Sequence, residues 1–247
     1  MVDNYLKQLR QEREKITPWV YPHESIVDIP SKNSVTSLKK ISELRRGIDR
    51  NSGPMTSSDA MQKAAEKGSL FHKIMERLQL GPEFAETPPP SDFYEKEIER
   101  LIESGALSPE EAQLASDEMR TQVERFWQSD IARAFLKRWV RVEREVSFSI
   151  LLRDKELTQL GFGSILTGTD EAIVVQGVID LLMLGENEIW VLDYKTDQVS
   201  AKESPEKALS HAPQINLYAF AMQAIYGLPV RKKYVAFVKP GRIIELP

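Results

Sequence analysis

The chain of 247 residues has no cysteine. A disulfide framework, a zinc–thiolate site and a cysteine-ligated iron–sulfur cluster are therefore excluded, and a cytoplasmic location is the expectation. No apolar run approaches the roughly 20 residues that span a bilayer, and the opening MVDNYLKQLRQEREK is too charged for a secretory signal. Neither membrane insertion nor export is expected. Excess positive charge is missing too: the formal net charge is −4, so any polyanion this chain holds must meet a local basic patch. There is no internal repeat, no low-complexity segment and no G-x-x-x-x-G-K-[ST] phosphate loop, so the chain is not expected to bind or hydrolyse ATP. Histidine is scarce, with only His23, His72 and His211.

What is present, 41% hydrophobic and 28% charged residues, suffices for one substantial core or one core with a helical appendage. Residues 3 to 16 read as a polar helix, and TPWVYPHESIVDIPSKNS, with three prolines, as an extended connector. SVTSLKKISELRR reads as a short helix, and NSGPMTSSD as a turn-rich link into a longer helix from about Ser58 to Leu80, stopped by Gly81-Pro82. Ser108 and Glu111 stand in capping-box spacing with Pro109 at the first helical position. The first half is thus mostly helical. After Trp139 the period changes, and VEREVSFSILL, EAIVVQGVIDLLML, EIWVLDYKT, VRKKYVAFV and RIIEL read as strands, with a helix from Pro213 to Tyr226 before the last two.

The stretch GVIDLLMLGENEIWVLDYKTD places carboxylates in segments otherwise built for burial, where an unpaired charge is costly. Gly185-Glu186-Asn187-Glu188 is turn chemistry, and a symmetric loop centred between Glu186 and Asn187 leaves Asp180 and Asp193 equidistant from the centre. They then face each other on an antiparallel pair with Cβ atoms about 4.5 to 5.5 Å apart, and Lys195 shares their face. One lysine cannot neutralise two opposed carboxylates in a partly dry site, so a divalent cation between them explains the arrangement best. An exposed Asp-x-Lys ion pair is the alternative. The apolar residues on both sides of these strands, Ile173 to Val175, Val178, Ile179, Leu181, Leu182, Ile189, Val191 and Leu192, argue against it, because they describe strands covered on both faces.

GVID, a short hairpin and DYKT resemble the core of the PD-(D/E)xK nuclease superfamily, in particular its RecB-type nuclease domain. Gly68-Ser-Leu-Phe-His72 is similar to that family's G-x-x-x-H helix motif and Gln214-Ile-Asn-Leu-Tyr218 to its Q-x-x-x-Y helix motif, all in the family's order. SKNSVTSLKKISELR, REVSFS and YVAFVKPGRII further resemble the C-terminal nuclease domain of the A subunit of AddAB-type helicase-nucleases. The resemblance implies an α/β, restriction-endonuclease-like core, a central mixed sheet flanked by helices, behind a largely helical N-terminal half. Residues 1–34 would be a connector or helical arm and 35–247 the nuclease domain.

The resemblance also implies roles. Asp180, Asp193 and Lys195 would be catalytic; His72, Asp180 and Asp193 would hold Mg²⁺ or Mn²⁺; Gln214, Tyr218, Glu145 and Gly68 would support the site or touch DNA. Read from periodicity alone, His72 lies on the stripe Met61, Ala65, Gly68, His72, Met75, where a satisfied core histidine is the ordinary occupant. Gln214 and Tyr218 share a face with Ala221 and Ile225, as simple packing also would. Alternation places Glu145 on the face of Glu143, Ser147 and Ser149, with Glu143 as its competitor. His23 and His211 fit no motif. Arg138, Arg141, Arg144, Arg231, Lys232, Lys233, Lys239 and Arg242 lie near strand ends, either lining a channel for a single strand or serving as ordinary surface charges.

The function expected from the resemblance is a metal-dependent deoxyribonuclease, exonucleolytic on single-stranded DNA or unwound duplex ends. It would serve a complex that processes double-strand breaks for recombinational repair, and its partners would be a helicase motor in the parent polypeptide and a second helicase-nuclease chain. A freestanding nuclease, a nuclease-like module that only binds DNA or a partner, and a hydrolase of small phosphoesters are the alternatives.

Overall fold

The long alternating stretches become the centre of a six-stranded mixed sheet. The computed structural model describes residues 29–47, 59–87, 89–115, 117–137, 141–167 and 169–247. The helix expected at 3 to 16, most of the connector, the turn before Ser58 and His23 lie outside them. β1 (Lys32–Ser34), the end of the expected connector, pairs parallel with the first half of β3 (Ala172–Leu184). β2 (Arg141–Arg153) runs antiparallel to β3 from Arg141↔Leu184 to Arg153↔Ala172. β4 (Ile189–Lys195) returns along β3 through the expected four-residue loop, closed by Gly185 N–H to Glu188 C=O at 2.8 Å. β5 (Val230–Phe237) lies parallel to β4, and β6 (Arg242–Glu245) antiparallel to β5.

Helices cover both faces. They are α1 (Val35–Arg45), α2 (Asp59–Arg77), α3 (Phe93–Glu103), α4 (Pro109–Leu114), α5 (Asp117–Trp127), α6 (Asp130–Lys137), α7 (Asp154–Gln159), α8 (Ser204–Leu209) and α9 (Ala212–Tyr226). The capping box of α4 forms as expected, and Gly227 ends α9 at φ +69, a left-handed conformation that glycine adopts without steric cost. Leu38 of α1 and Ile215, Leu217 and Ala221 of α9 pack with Ile179, Leu182, Val191 and Val235 on one face of the sheet. Phe71, Ile74 and Met75 of α2, with Leu101, Phe126 and Phe135, pack with Leu181, Met183, Leu192 and Tyr234 on the other. No helix among the described residues is long and apolar enough to cross a membrane.

Strand alternation breaks at one place. On β3, Ile173, Val175 and Ile179 belong to the first core, yet Leu181 and Met183, with the same odd spacing, belong to the second. On β2, Phe148 and Leu152 face the first core and Val142 the second. The ladder pairs Arg144↔Leu181 and Val146↔Ile179, so Glu145 and Asp180 occupy the unpaired step between them. Glu145 has φ +50, the one non-glycine residue with positive φ among those described. Both strands therefore turn over together at Glu145 and Asp180, like a bulge that re-aims side chains.

Two expectations need correction. The helix from Ser58 ends at Arg77, not Leu80, because Arg144 takes the carbonyls of Glu76 and Leu78 and the Glu97 carboxylate accepts the Gln79 N–H at 2.8 Å. Among the described residues, coverage on both sheet faces holds only for the half of β3 from Ile179 onward; Val178, just before it, is 40% exposed.

Gly177 marks a close approach. An added Cβ would lie 2.7 Å from the Phe148 ring and 2.8 Å from Val35 Cγ2. Gly177→Ala is accordingly expected to destabilise the chain by about 1–3 kcal/mol, read by thermal unfolding; an unchanged melting temperature would show that the ring gives way freely.

Candidate metal centre and active site

The turnover at Glu145 and Asp180 assembles a site from both cores. α2 brings His72, whose Nδ1 lies 3.3 Å from Asp180 Oδ1 and 3.8 Å from Glu145 Oε1. One ligand atom from each of His72, Glu145 and Asp180 fits within 4.8 Å of the other two. Burial opposes protonation of His72, but its hydrogen bonds to Asp180 and Glu145 outweigh it and raise the pKa to about 10. Asp180 is buried, and its Oδ2 accepts the backbone N–H of Tyr194 at 2.5 Å, so this carboxylate fastens β4 where the strand ladder stops. The last pair of that ladder is Leu181↔Leu192, so the pairing expected between Asp180 and Asp193 lies one step past its end.

Asp193 stands on the α9 side of the trio. It is 2% exposed, and burial followed by the Asp180 charge pushes its pKa up, against Lys195 and His72. Lys195 Nζ is 2.5 Å from Asp193 Oδ2 and donates to Gln214 Oε1 at 3.2 Å. The Gln214 amide donates in turn to Asp193 Oδ1 at 3.1 Å and to the Tyr218 hydroxyl at 2.7 Å. With its oxygen on a cation and its nitrogen on an anion, this amide has one orientation, and it holds lysine and carboxylate together. Tyr218 and Ala221 face inward as the helical spacing implies, whereas Ile225 at the end of that row is 52% exposed.

Gly68 lies one turn before His72, and a Cβ there would meet Thr196 Oγ1 at 3.0 Å. The missing side chain lets α2 come close to the residue that follows Lys195. Phe71, Phe126 and the His72 ring pack edge-on around Tyr194, with centroids 5.7, 5.0 and 5.9 Å away, which fixes the strand between the two aspartates' ends.

Of the sequence-derived residues, the structure groups His72, Asp180 and Glu145, and beside them Asp193, Lys195, Gln214 and Tyr218. Glu145 departs from the face read for it: its left-handed backbone turns it toward α2, while Glu143 pairs with Arg141 and lies 3.4 Å from the Tyr226 hydroxyl. His211 lies outside the trio, at the start of α9, with Nε2 3.9 Å from Asp197; burial, then Lys195, Lys39 and Lys207, lower its pKa to about 3.

A cleft of about 810 Å³ opens over the site, lined by His72, Asp180, Asp193, Lys195, Gln214 and Tyr218 and edged by Lys63, Lys67 and Lys239. Only Lys239 comes from the basic residues expected to form a channel. Arg144 is turned to α2, Lys232 pairs with Glu245, Lys233 donates to Asn216, and Arg138 is outside the described residues. Lys63 and Lys67 are not among the basic residues near the strand ends, yet their i, i+4 spacing just before Gly68 puts them on one side of the helix that carries His72.

The donor set fits a hard or borderline divalent cation: two carboxylates and an imidazole converge, and a third carboxylate is buried alongside. The comparisons agree with this chemistry. The family model of the PD-(D/E)XK nuclease superfamily matches residues 41–244. The chain is 29% identical over 257 residues to the ATP-dependent helicase/nuclease A subunit of Listeria monocytogenes, covering 96% of this chain and 19% of that protein. It is 29% identical over 252 residues to the protein of the same name from Desulforamulus reducens and 27% over 255 residues to that from Bacillus licheniformis, again with 19% of each relative covered. The chain thus spans about a fifth of the length of the curated relatives it matches. With an Asp180, Asp-Tyr-Lys and His72 site at the break of a mixed sheet, and a match over residues 41–244, the chain belongs to the PD-(D/E)XK nuclease superfamily.

Proposed function

We propose that this chain hydrolyses DNA phosphodiester bonds with Mg²⁺ or Mn²⁺, as an exonuclease on single-stranded DNA or unwound duplex ends. The observation that carries the reading is the convergence of His72, Glu145 and Asp180 within 4.8 Å, next to an Asp193–Lys195 pair locked by Gln214. In this reading residues 35–247 are the nuclease domain and 1–34 an arm leading into it. The relatives are named as the A subunit of a helicase/nuclease, which supports placing the domain in a cytoplasmic complex with a helicase motor in the same polypeptide and a second helicase-nuclease chain, engaged in processing double-strand breaks for recombinational repair.

His72, Glu145 and Asp180 would hold the cation, with Asp193 completing the charge around it. A bound divalent ion supplies positive charge to a phosphate oxygen and eases deprotonation of water. Lys195, held between Asp193 and Gln214, is placed to orient the attacking water or to meet charge developing on the phosphate. Burial of Asp180 and Asp193 keeps competing solvent from these groups and strengthens every charge interaction among them.

The test is cleavage of 3′-labelled and 5′-labelled single-stranded DNA by the purified chain in Mn²⁺, Mg²⁺ or EDTA. Metal-dependent shortening from one end supports an exonuclease and gives its polarity; internal cuts would contradict the exonuclease mode, and tight binding without cleavage would favour a binding module. If Lys63 and Lys67 contact the strand, replacing both by Ala removes two phosphate contacts. The slope of log affinity against log salt should then fall by about 1.4, measured by fluorescence anisotropy, and an unchanged slope would take these lysines out of the path.

A further inference from the structure

Arg144 is a mostly buried cation that the proposed chemistry does not use. Among the described residues no carboxylate lies within ion-pair distance of it. Its guanidinium instead lies 5.7 Å over the Trp127 ring and donates to the Glu76 carbonyl at 3.2 Å and to the Leu78 carbonyl. These carbonyls belong to the last turn of α2 and the residue just past it, where the partial negative charge of a helix end and its unpaired acceptors favour a cation. A leucine or methionine could cover Trp127 without the cost of desolvating a charge, so packing alone does not account for an arginine.

The neighbouring residue supplies the reason. Consecutive strand residues ordinarily point to opposite faces, but the left-handed backbone at Glu145 breaks that rule, and Arg144 and Glu145 both reach α2. Glu145 meets His72, while Arg144 grips the Glu76 carbonyl one helical turn later. Two adjacent anchors on β2 thus hold α2 at two points, which sets both its height and its rotation. A slip of one residue would move His72 by about 1.5 Å along the axis and about 100° around it, far outside reach of Asp180 at its present 3.3 Å. We propose that Arg144 is a positioning residue: by clamping the C-terminal turn of α2 it holds His72 in register with Glu145 and Asp180. The inference rests on the metal-site reading and adds what keeps the imidazole in place.

The experiment compares the full chain with Arg144→Met, Arg144→Lys and, as a control destabilised elsewhere, Leu38→Ala in the core beneath α1. Four quantities are measured: melting temperature in EDTA, the Mn²⁺ dissociation constant by calorimetry, amide exchange across residues 69–77, and the His72 imidazole resonances in EDTA. Arg144→Met is expected to weaken Mn²⁺ binding about 10- to 100-fold, the range for residues that orient a ligand, to shift the His72 resonances and to lose exchange protection near His72. Arg144→Lys should recover part of each, since one donor replaces a fork. Leu38→Ala should melt lower yet bind Mn²⁺ as wild type does. The proposal is overturned if Arg144→Met only lowers the melting temperature, leaving Mn²⁺ affinity and His72 resonances unchanged, or if Leu38→Ala weakens Mn²⁺ equally. Should the wild type take up no Mn²⁺, the metal reading fails, and the His72 resonances and exchange decide the positioning role by themselves.

Discussion

Asp193→Asn is expected to lower DNA cleavage on the order of 1,000-fold while the chain stays folded. The substitution removes a negative charge from a 2% exposed position beside Asp180, where burial and like charge already oppose ionisation. That relief is set against the lost attraction to Lys195, 2.5 Å away, and against a donor clash, because the new amide with its oxygen on the ammonium turns its NH2 toward the Gln214 amide nitrogen that now donates to Asp193. Stability in EDTA should therefore lie within about 3 kcal/mol of wild type, the cost of one unsatisfied buried donor at most. Gel assays of cleavage and calorimetric unfolding separate the two readouts. Retention of a wild-type rate would remove Asp193 from the chemistry, whereas loss of both rate and fold would make it a structural residue.

Glu145→Asn should move two quantities in opposite directions. The left-handed backbone at φ +50 costs a residue such as glutamate about 1–2 kcal/mol, and asparagine tolerates it better. Both side chains are about a third exposed, so the attraction to His72 that is lost is screened, and the variant should gain up to about 1 kcal/mol in EDTA, or up to about 2–4 °C in melting temperature. The shorter amide cannot replace the carboxylate beside His72, so Mn²⁺ affinity should fall on the order of 100-fold. A gain in stability with an unchanged Mn²⁺ affinity would show that Glu145 only relieves charge near His72. A loss of stability would show that no strain is held at this position. The opposed signs are the mark of backbone strain retained for a functional side chain, which neither a purely structural nor a purely incidental glutamate would produce.

Much of the site was legible because strand period and loop symmetry are local. Counting back from Glu186 and Asn187 predicts Asp180 against Asp193 without knowledge of any tertiary contact; the observed ladder of β3 and β4 follows that register from Leu184↔Ile189 to Leu181↔Leu192 and stops one step short of the two aspartates. The spacing of Gly68 and His72, and of Gln214 and Tyr218, likewise assigns each pair to one helical face. The strands of the second half follow from the change of period after Trp139, whereas their arrangement as a mixed sheet is what the family resemblance implies. Glu145 was misoriented because strict alternation assumes an unbroken strand, and nothing local in REREVSF announces a left-handed residue. The break exists because β2 and β3 turn over together, a property of the pair. The early end of α2 was hidden for the same reason: Arg144 and Glu97 come from elements 66 and 18 residues away from their partners. Lys232 and Lys233 pair locally, and the cleft takes Lys63 and Lys67 from a helix beside Lys239.

His72, Glu145 and Asp180 are proposed to hold a divalent cation beside Asp193 and Lys195. Anomalous diffraction at the manganese edge, from crystals of this chain soaked in Mn²⁺, tests it most directly. The account predicts a peak within coordination distance of all three side chains, absent from crystals of Asp180→Ala. A cleft without a peak, or a Mn²⁺ bound there without His72 and Asp180, would contradict it.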